Sequence, residues 1–292
     1  LGKFPRISII TPNFNGAKFL EQTILSVIGQ NYPNLEYIII DGCSSDGSIE
    51  IIKKYENKIA FWISEPDNGM YDAIQKGFDK CSGEILGWIN SDDILQNNSL
   101  FALAEIFSSN KKIRWIQGYP NVIDEKGRIV YHRSHRYNKY DFYLKDYHDG
   151  VFIQQESTFW TEDLWKESGA ALSKKYKYAG DFELWIRFFL YDNLYTTNTL
   201  LGSFRSHSNG QISRDLYNEY IHECDQIVED ALDSLPLSEK KRIDKIKVLR
   251  RIRKSAPWIY KIMKLYKLGS IESPNPYSVE FDFSKNKYLS SI

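Results

Sequence analysis

Three short apolar runs of this 292-residue chain end on residues able to grip a ligand. Ile7-Ser8-Ile9-Ile10 runs into Thr11-Pro12-Asn13, Tyr37-Ile38-Ile39-Ile40 into Asp41-Gly42, and Glu84 to Ile89 into Asn90-Ser91-Asp92-Asp93. Adjacent carboxylates such as Asp92 and Asp93 suit a hard divalent cation, Mg2+ or Mn2+. Such an ion is held by one or two protein carboxylates while substrate phosphate oxygens complete its shell. One polar residue after an apolar run is an ordinary solvated turn; three of them argue for a shared site. Other chemistries lack their signatures. There is no Walker spacing, no G-x-G-x-x-G after the first run and no G-x-S-x-G elbow. A P-loop nucleotidase, a dinucleotide oxidoreductase and an α/β-hydrolase are therefore poorly supported.

The elements that must position these residues follow from periodicity. The apolar runs read as strands: residues 7–10, 37–40, 61–63 and 84–89. Between them, Phe19, Leu20, Thr23, Ile24, Val27 and Ile28, then Ile49, Ile52 and Tyr55, then Ala73, Ile74, Gly77 and Phe78 recur at helical spacing. Strands alternating with crossover helices predict an α/β fold with a parallel sheet, whose ligands bind outside the carboxyl ends of the strands. Further on, a helix over Phe101–Phe107, a strand over Ile113–Gln117 and a hairpin around Asp124-Glu125-Lys126-Gly127 are expected. Residues 134–150 read as an irregular loop. Thr161 is a predicted N-cap, Asp181–Tyr191 a helix and Leu194–Ser206 a strand. From Asp215 to Gly269 the pattern is helical.

Lys+Arg and Asp+Glu both total 38, so no global basic excess favours nucleic acid. The charge is nonetheless uneven: residues 240–267 hold twelve Lys/Arg against one acid (Asp244), a net of +11. Apolar residues make up 42% of the chain, ample for a core and against disorder. No apolar run approaches the roughly 20 residues that span a bilayer, and the first residues do not read as a secretory leader. Cys43, Cys81 and Cys224 have no metal-ligand spacing and fit a reduced, cytoplasmic protein.

The order of motifs resembles the GT-A, family 2 glycosyltransferases, closest to the soluble bacterial branch that builds surface polysaccharide. The resemblance is carried by residues 7–15, 40–47, 64–73 (Ser-Glu-Pro-Asp-Asn-Gly-Met-Tyr-Asp-Ala), 88–93, 154–160 (Gln-Gln-Glu-Ser-Thr-Phe-Trp) and 178–187 (Tyr-Ala-Gly-Asp-Phe-Glu-Leu-Trp-Ile-Arg). It implies a GT-A fold over residues 1–214, a mostly parallel central sheet with flanking helices, followed by a helical, basic tail over 215–292. It further implies nucleotide-sugar contacts from Thr11, Pro12, Asn13, Asp41, Asp67, Asn90, Ser91 and Asp92. Metal contacts fall to Asp92, Asp93 and His207. Asp181 takes the place of the general base, although from the residues alone it reads equally as a helix N-cap. Gln155, Glu156 and Trp160 fall on the acceptor side. The family's metal motif is commonly D-x-D; here the first position is Asn90.

The reaction so implied is inverting transfer from a nucleotide-diphosphate sugar, UDP being the commonest such donor, to a saccharide or lipid-linked saccharide. Mn2+ or Mg2+ would support departure of the diphosphate and Asp181 would deprotonate the acceptor hydroxyl. Two other readings remain at this point: a metal-dependent nucleotidyltransferase and a catalytically degenerate carbohydrate-binding protein. The tail also has two. Its Ile, Leu and Met residues mixed with Lys and Arg suit peripheral contact with the inner face of the cytoplasmic membrane. Alternatively it packs on the acidic catalytic domain, or on a second copy in a homodimer. No nucleic-acid partner is expected.

Overall fold

A computed structural model describes residues 4–132, 137–208, 211–265, 277–282 and 284–291. The first third alternates β1 (Ile7–Asn13), α1 (Ala17–Ile28), β2 (Leu35–Asp41), α2 (Ser48–Lys54), β3 (Phe61–Ser64), α3 (Met70–Phe78) and β4 (Ile85–Trp88). The middle adds β5 (Ile94–Leu95), α4 (Ser99–Ser109), β6 (Trp115–Gln117), β7 (Asn121–Ile123), β8 (Ile129–His132), α5 (Lys139–Tyr143), β9 (Thr158–Thr161), α6 (Glu162–Glu167), α7 (Gly180–Phe188), β10 (Tyr195–Thr196) and β11 (Gly202–Arg205). The last part is α8 (Ile212–Asp215), α9 (Tyr217–Ser234), α10 (Leu237–Ser255), α11 (Pro257–Leu265), β12 (Tyr277–Asp282) and β13 (Lys287–Ser291).

A nine-stranded sheet runs β13-β12-β10-β6-β9-β4-β1-β2-β3. β4, β1, β2 and β3 pair in parallel, while β9 is reversed between β4 and β6. Every residue of β1 is buried and all but one of β2. That follows from their isoleucine-rich runs, which suit strands covered on both faces. α1 lays Phe19, Leu20, Thr23, Ile24, Val27 and Ile28 on the core, as its spacing predicts. A smaller sheet, β5-β11-β7-β8, rises beside the carboxyl end of β4. β7 and β8 form the expected hairpin.

Three regions depart from the sequence reading. Residues 137–150 are an ordered turn of helix and a 3-10 turn, with Tyr140, Phe142, Tyr143 and Tyr147 buried. The expected 194–206 strand is two short strands in different sheets. Past the helices of the tail, β12 and β13 form a hairpin on the edge of the main sheet, with Val279 in the core.

The largest side chains stack behind β4 and α7. Trp88 lies parallel to Trp185 at 5.9 Å, and Trp160 meets Trp88 edge-on at 5.6 Å. Trp160 is fully buried in this cluster. Its expected place as an acceptor platform is thereby corrected. The side chain of residue 160 alternates to the core face of β9, where Phe78, Trp165 and Phe188 enclose it.

α9 and α10 pack on the core of the main sheet. Cys224, Ile227, Val228, Ile243 and Ile246 join the hydrophobic cluster that holds Trp88 and Trp185. Arg250 reaches Asp146 at 2.6 Å and also pairs with Asp141. Tyr140 donates to Glu239 at 2.9 Å.

Candidate active site

The carboxyl ends of β1, β2 and β4 open into a cleft of about 1190 Å3. Asn13 ends β1 and Asp41 ends β2 in parallel register, so the two side chains are neighbours by construction. Asn13 Nδ2 donates to Asp41 Oδ1 at 2.6 Å. Asp41 accepts three further bonds, from Ser44 N (2.9 Å), Ser44 Oγ (2.6 Å) and Ser64 Oγ (2.6 Å). Burial pushes its carboxyl up, but the Ser44, Ser64 and Asn13 donors outweigh burial and hold it below the ordinary carboxylate range. A carboxylate so fully bonded is a brace. Asp41 stands behind the cleft wall, as does Thr11, whose Oγ1 bonds the Tyr37 hydroxyl at 3.0 Å. Pro12, Asn13, Asp67, Asn90, Ser91 and Asp92 do line the cleft.

The two adjacent aspartates face different ways. Asp93 is fully buried and its Oδ1 accepts the Arg205 backbone N–H at 2.7 Å. Burial, with Asp92 and Glu156 nearby, raises its carboxyl well above the usual range. It is not on the cleft wall, which corrects its expectation as a metal ligand: the turn points its side chain inward, onto the Arg205 N–H. Asp92 is on the wall, and His207 Nε2 sits 2.9 Å from its Oδ2. Asn209 and Gly210, next to His207, lie outside the described residues.

Beneath this turn lies the buried Arg205. Its Nε donates to the Asp92 carbonyl at 2.6 Å, its Nη1 to the carbonyls of Asp124 and Glu125 at 3.2 Å, and its guanidinium covers the Phe19 ring at 4.7 Å. It ties the Asp92-Asp93 turn to the Asp124-Glu125 turn of the β7–β8 hairpin. Among the described residues no three His, Cys, Asp or Glu side chains converge as a complete metal cage. Asp92 and His207 offer one carboxylate and one imidazole, a donor set that suits a cation whose remaining ligands come from a phosphate-bearing substrate.

Asp181 lines the same cleft from the first turn of α7. Gly180 opens the helix and lets the Tyr71 ring pack against it: a Cβ there would stand 2.9 Å from that ring. Tyr71 Oη donates to Asp181 Oδ1 at 3.1 Å and to the Tyr178 carbonyl at 3.0 Å. Tyr220 of α9 approaches both Asp181 oxygens, at 3.4 and 3.5 Å. Burial raises the Asp181 carboxyl to about 6, against the Phe182 N–H and the two phenols, which pull it down. Glu156, only 3% exposed, lines the cleft between these centres. Burial, and then the charges of Asp92 and Asp181, push it up to about 8 although Gln154 donates to it. Gln155 is tied to the Trp88 carbonyl at 2.7 Å, which leaves its buried Oε1 unpartnered.

The sequence reading missed several wall residues. Phe14 is 68% exposed at the cleft mouth, and Phe152, Tyr217 and Tyr220 complete an aromatic wall. Tyr71 sits inside a motif already singled out, so its neighbours signalled it. Nothing in the local sequence of α9 signals Tyr220.

Residues 8–167, more than half of the chain, match the model of glycosyl transferase family 2. An uncharacterized glycosyltransferase of Rickettsia prowazekii is 26% identical over 208 residues, 70% of this chain and 65% of the relative. TuaG of Bacillus subtilis, named for teichuronic acid biosynthesis, is 33% identical over 99 residues, 33% of this chain and 39% of TuaG. The chain thus spans less than two-thirds of the length of these relatives. Among solved structures, S. aureus TarS in complex with UDP-GlcNAc superposes with a TM-score of 0.66 at 16% identity, over 86% of this chain and 74% of TarS. A Pyrobaculum calidifontis mannosyltransferase in complex with GDP-Man and Mn2+ gives 0.52 at 13% identity, over 91% and 86%. These likenesses establish the GT-A fold, and the family-model match establishes that the chain belongs to glycosyl transferase family 2.

Proposed function

We propose that this chain is a metal-assisted, inverting glycosyltransferase. It moves a sugar from a nucleoside-diphosphate donor, UDP first among the choices, to a hydroxyl of a saccharide or lipid-linked saccharide in surface polysaccharide synthesis. The observation that carries the reading is one cleft holding both the half-buried Asp92–His207 pair and the half-buried carboxylate of Asp181. The complexes of TarS with UDP-GlcNAc and of the mannosyltransferase with GDP-Man and Mn2+ support the donor class and the cation.

Charge supports a cation too. Among the described residues lining the cleft, Lys18 is the one Lys or Arg, and it already faces Glu125 at 2.9 Å. Asp67, Asp92, Glu156 and Asp181 line the same space. A departing diphosphate therefore finds little free positive charge on the protein. Asp92 and His207 would hold a divalent ion there, and it would supply that charge as a Lewis acid.

Asp181 takes the acceptor's hydroxyl proton on Oδ2 as that oxygen bonds to the anomeric carbon. The bond from that carbon to the diphosphate oxygen breaks on the opposite side, which inverts the centre. Asp181 suits the task because its carboxyl sits near 6, ionised at pH 7.5 yet basic enough to help. Tyr71 and Tyr220 position it, so the catalytic unit extends past residue 214 into α9. Glu156 keeps its proton at neutral pH and serves as a hydrogen-bond donor to substrate. Thr11 and Asp41 act by bracing Asn13 and the strand ends behind the nucleotide.

The test is turnover of a panel of nucleotide-sugars with Mn2+, Mg2+ or EDTA. Release of a nucleoside diphosphate and formation of a glycoside of opposite anomeric configuration are expected. Pyrophosphate release from a nucleoside triphosphate would favour a nucleotidyltransferase and overturn the reading.

A further inference from the structure

The tail divides its apolar residues into two sets. Ile243, Ile246 and Leu249 form the inner stripe of α10 and are buried against the core. A second set faces outward. Val248 is 52% exposed on α10, opposite that stripe, and α11 shows Trp258 (65%) and Ile262 (46%) on one face at i, i+4 spacing. Of the seven tryptophans, Trp62 is partly covered and five are buried, so Trp258 alone stands well into solvent.

The charges divide in the same way. Arg250 is committed to Asp141 and Asp146, and Arg242 lies over the Tyr140 ring at 5.3 Å. By contrast Lys241, Lys245, Arg251 and Lys254 are exposed on α10 and Lys261 is exposed on α11. None of these five has a carboxylate partner among the described residues. Attraction to the acidic catalytic domain thus explains Arg250 and leaves the outer lysines and arginines unexplained. An exposed indole and isoleucine on one helix face, among unpaired cations, is the pattern of a helix seated at a lipid interface: the apolar side chains enter the acyl boundary while the cations meet anionic headgroups.

We infer that α11 and the outer face of α10 form a docking surface for an anionic lipid bilayer, with Trp258 and Ile262 inserting and Lys241, Lys245, Arg251, Lys254 and Lys261 contacting phosphate headgroups. The bilayer is favoured over a protein because the exposed lysines and arginines far outnumber Asp244, the one acid on the outer face of α10, and because the patch carries few large apolar side chains. Among the described residues no helix is long and apolar enough to cross a membrane, so the contact is peripheral. The inference gains a purpose from the proposed lipid-linked acceptor but does not need it, since the surface is independent of the cleft residues.

The test uses the whole chain and vesicles free of any substrate. Binding is measured by flotation on vesicles of phosphatidylglycerol and phosphatidylcholine, 1:1, and on phosphatidylcholine alone. Brominated lipid then reports how deep the exposed indole sits. The expected result is binding at least tenfold tighter to the anionic vesicles, weakened by salt, with part of the tryptophan emission quenched by bromine. W258F should abolish that quenching, and the pair W258A/I262A should lower vesicle affinity at least tenfold while the thermal melt stays unchanged. Equal binding to neutral vesicles, or quenching that survives W258F, would overturn the inference. So would a W258A/I262A variant that binds lipid normally, or one whose only change is from dimer to monomer in light scattering. Because no sugar transfer is measured, failure here leaves the proposed reaction untouched, and inactivity in the transfer assay leaves the docking surface standing.

Discussion

Replacing Asp181 with Asn should inactivate the enzyme and stabilise the protein, and the second effect should depend on pH. The carboxyl sits at about 6 in the fold because burial disfavours its charge; in the unfolded chain it titrates near 3.9. Below about pH 4 it is neutral in both states. As pH rises from about 4 to about 6 the unfolded chain ionises while the folded carboxyl stays largely neutral, so stability is lost across that window and levels off above it. The full difference corresponds to about 3 kcal/mol. Asp181 lines an open cleft, where water screens part of the penalty, so about 1–2 kcal/mol is the realistic share. The variant should therefore gain about 1–2 kcal/mol at pH 7.5 and less than about 1 kcal/mol at pH 5, since most of the folded wild type is already neutral there. Thermal melts of both proteins at the two pH values measure this. In the transfer assay kcat should fall by roughly 10²–10⁴, the usual worth of a general base. Wild-type kcat should rise with pH through about 6. A gain in Tm equal at pH 5 and 7.5, or a kcat within a few-fold of wild type, would refute the reasoning.

Other perturbations separate positioning from packing. Tyr220→Phe removes a donor facing both Asp181 oxygens; a pH–rate profile should show its acidic limb moved to higher pH, with kcat lowered more at pH 6 than at pH 8. Trp160→Ala empties a site among Trp88, Trp165 and Trp185. Denaturant melts should report a loss of about 3–5 kcal/mol, with KM for acceptor unchanged, whereas a sugar platform would show the reverse. Arg205→Met removes the guanidinium bonds to the carbonyls of Asp92, Asp124 and Glu125. Stability should fall by roughly 2–4 kcal/mol and Mn2+-dependent donor binding should weaken in calorimetry, while Arg205→Lys recovers part of each.

The parallel half of the fold was legible because its strands are short apolar runs, isoleucine-rich in β1 and β2, and its helices show one apolar face each. The sheet then brings Asn13 and Asp41 together by register alone, so that part of the site was implicit in the pattern. Elsewhere local pattern was silent. Residues 137–150 look like a solvated loop because they are rich in Asp, Lys and Tyr; their charges are answered by Arg250 and Asp225, some eighty to a hundred residues away. The Asp92-Asp93 pair shows the same limit at the smallest scale. Two identical adjacent side chains take opposite roles because one turn aims the first at the cleft and the second at Arg205. Tyr220 reaches Asp181 only through the packing of α9 on α7, and β12 joins the sheet through pairing with β10.

The account rests on Asp92 serving the donor while Asp181 serves the acceptor within one cleft. Titration calorimetry of UDP into the wild type, Asp92→Asn and Asp181→Asn, each with and without Mn2+, tests this division directly. Mn2+ should tighten UDP binding to the wild type and to Asp181→Asn alike, and Asp92→Asn should lose that enhancement by at least tenfold. UDP binding that ignores Mn2+, or that survives in Asp92→Asn while failing in Asp181→Asn, would contradict it.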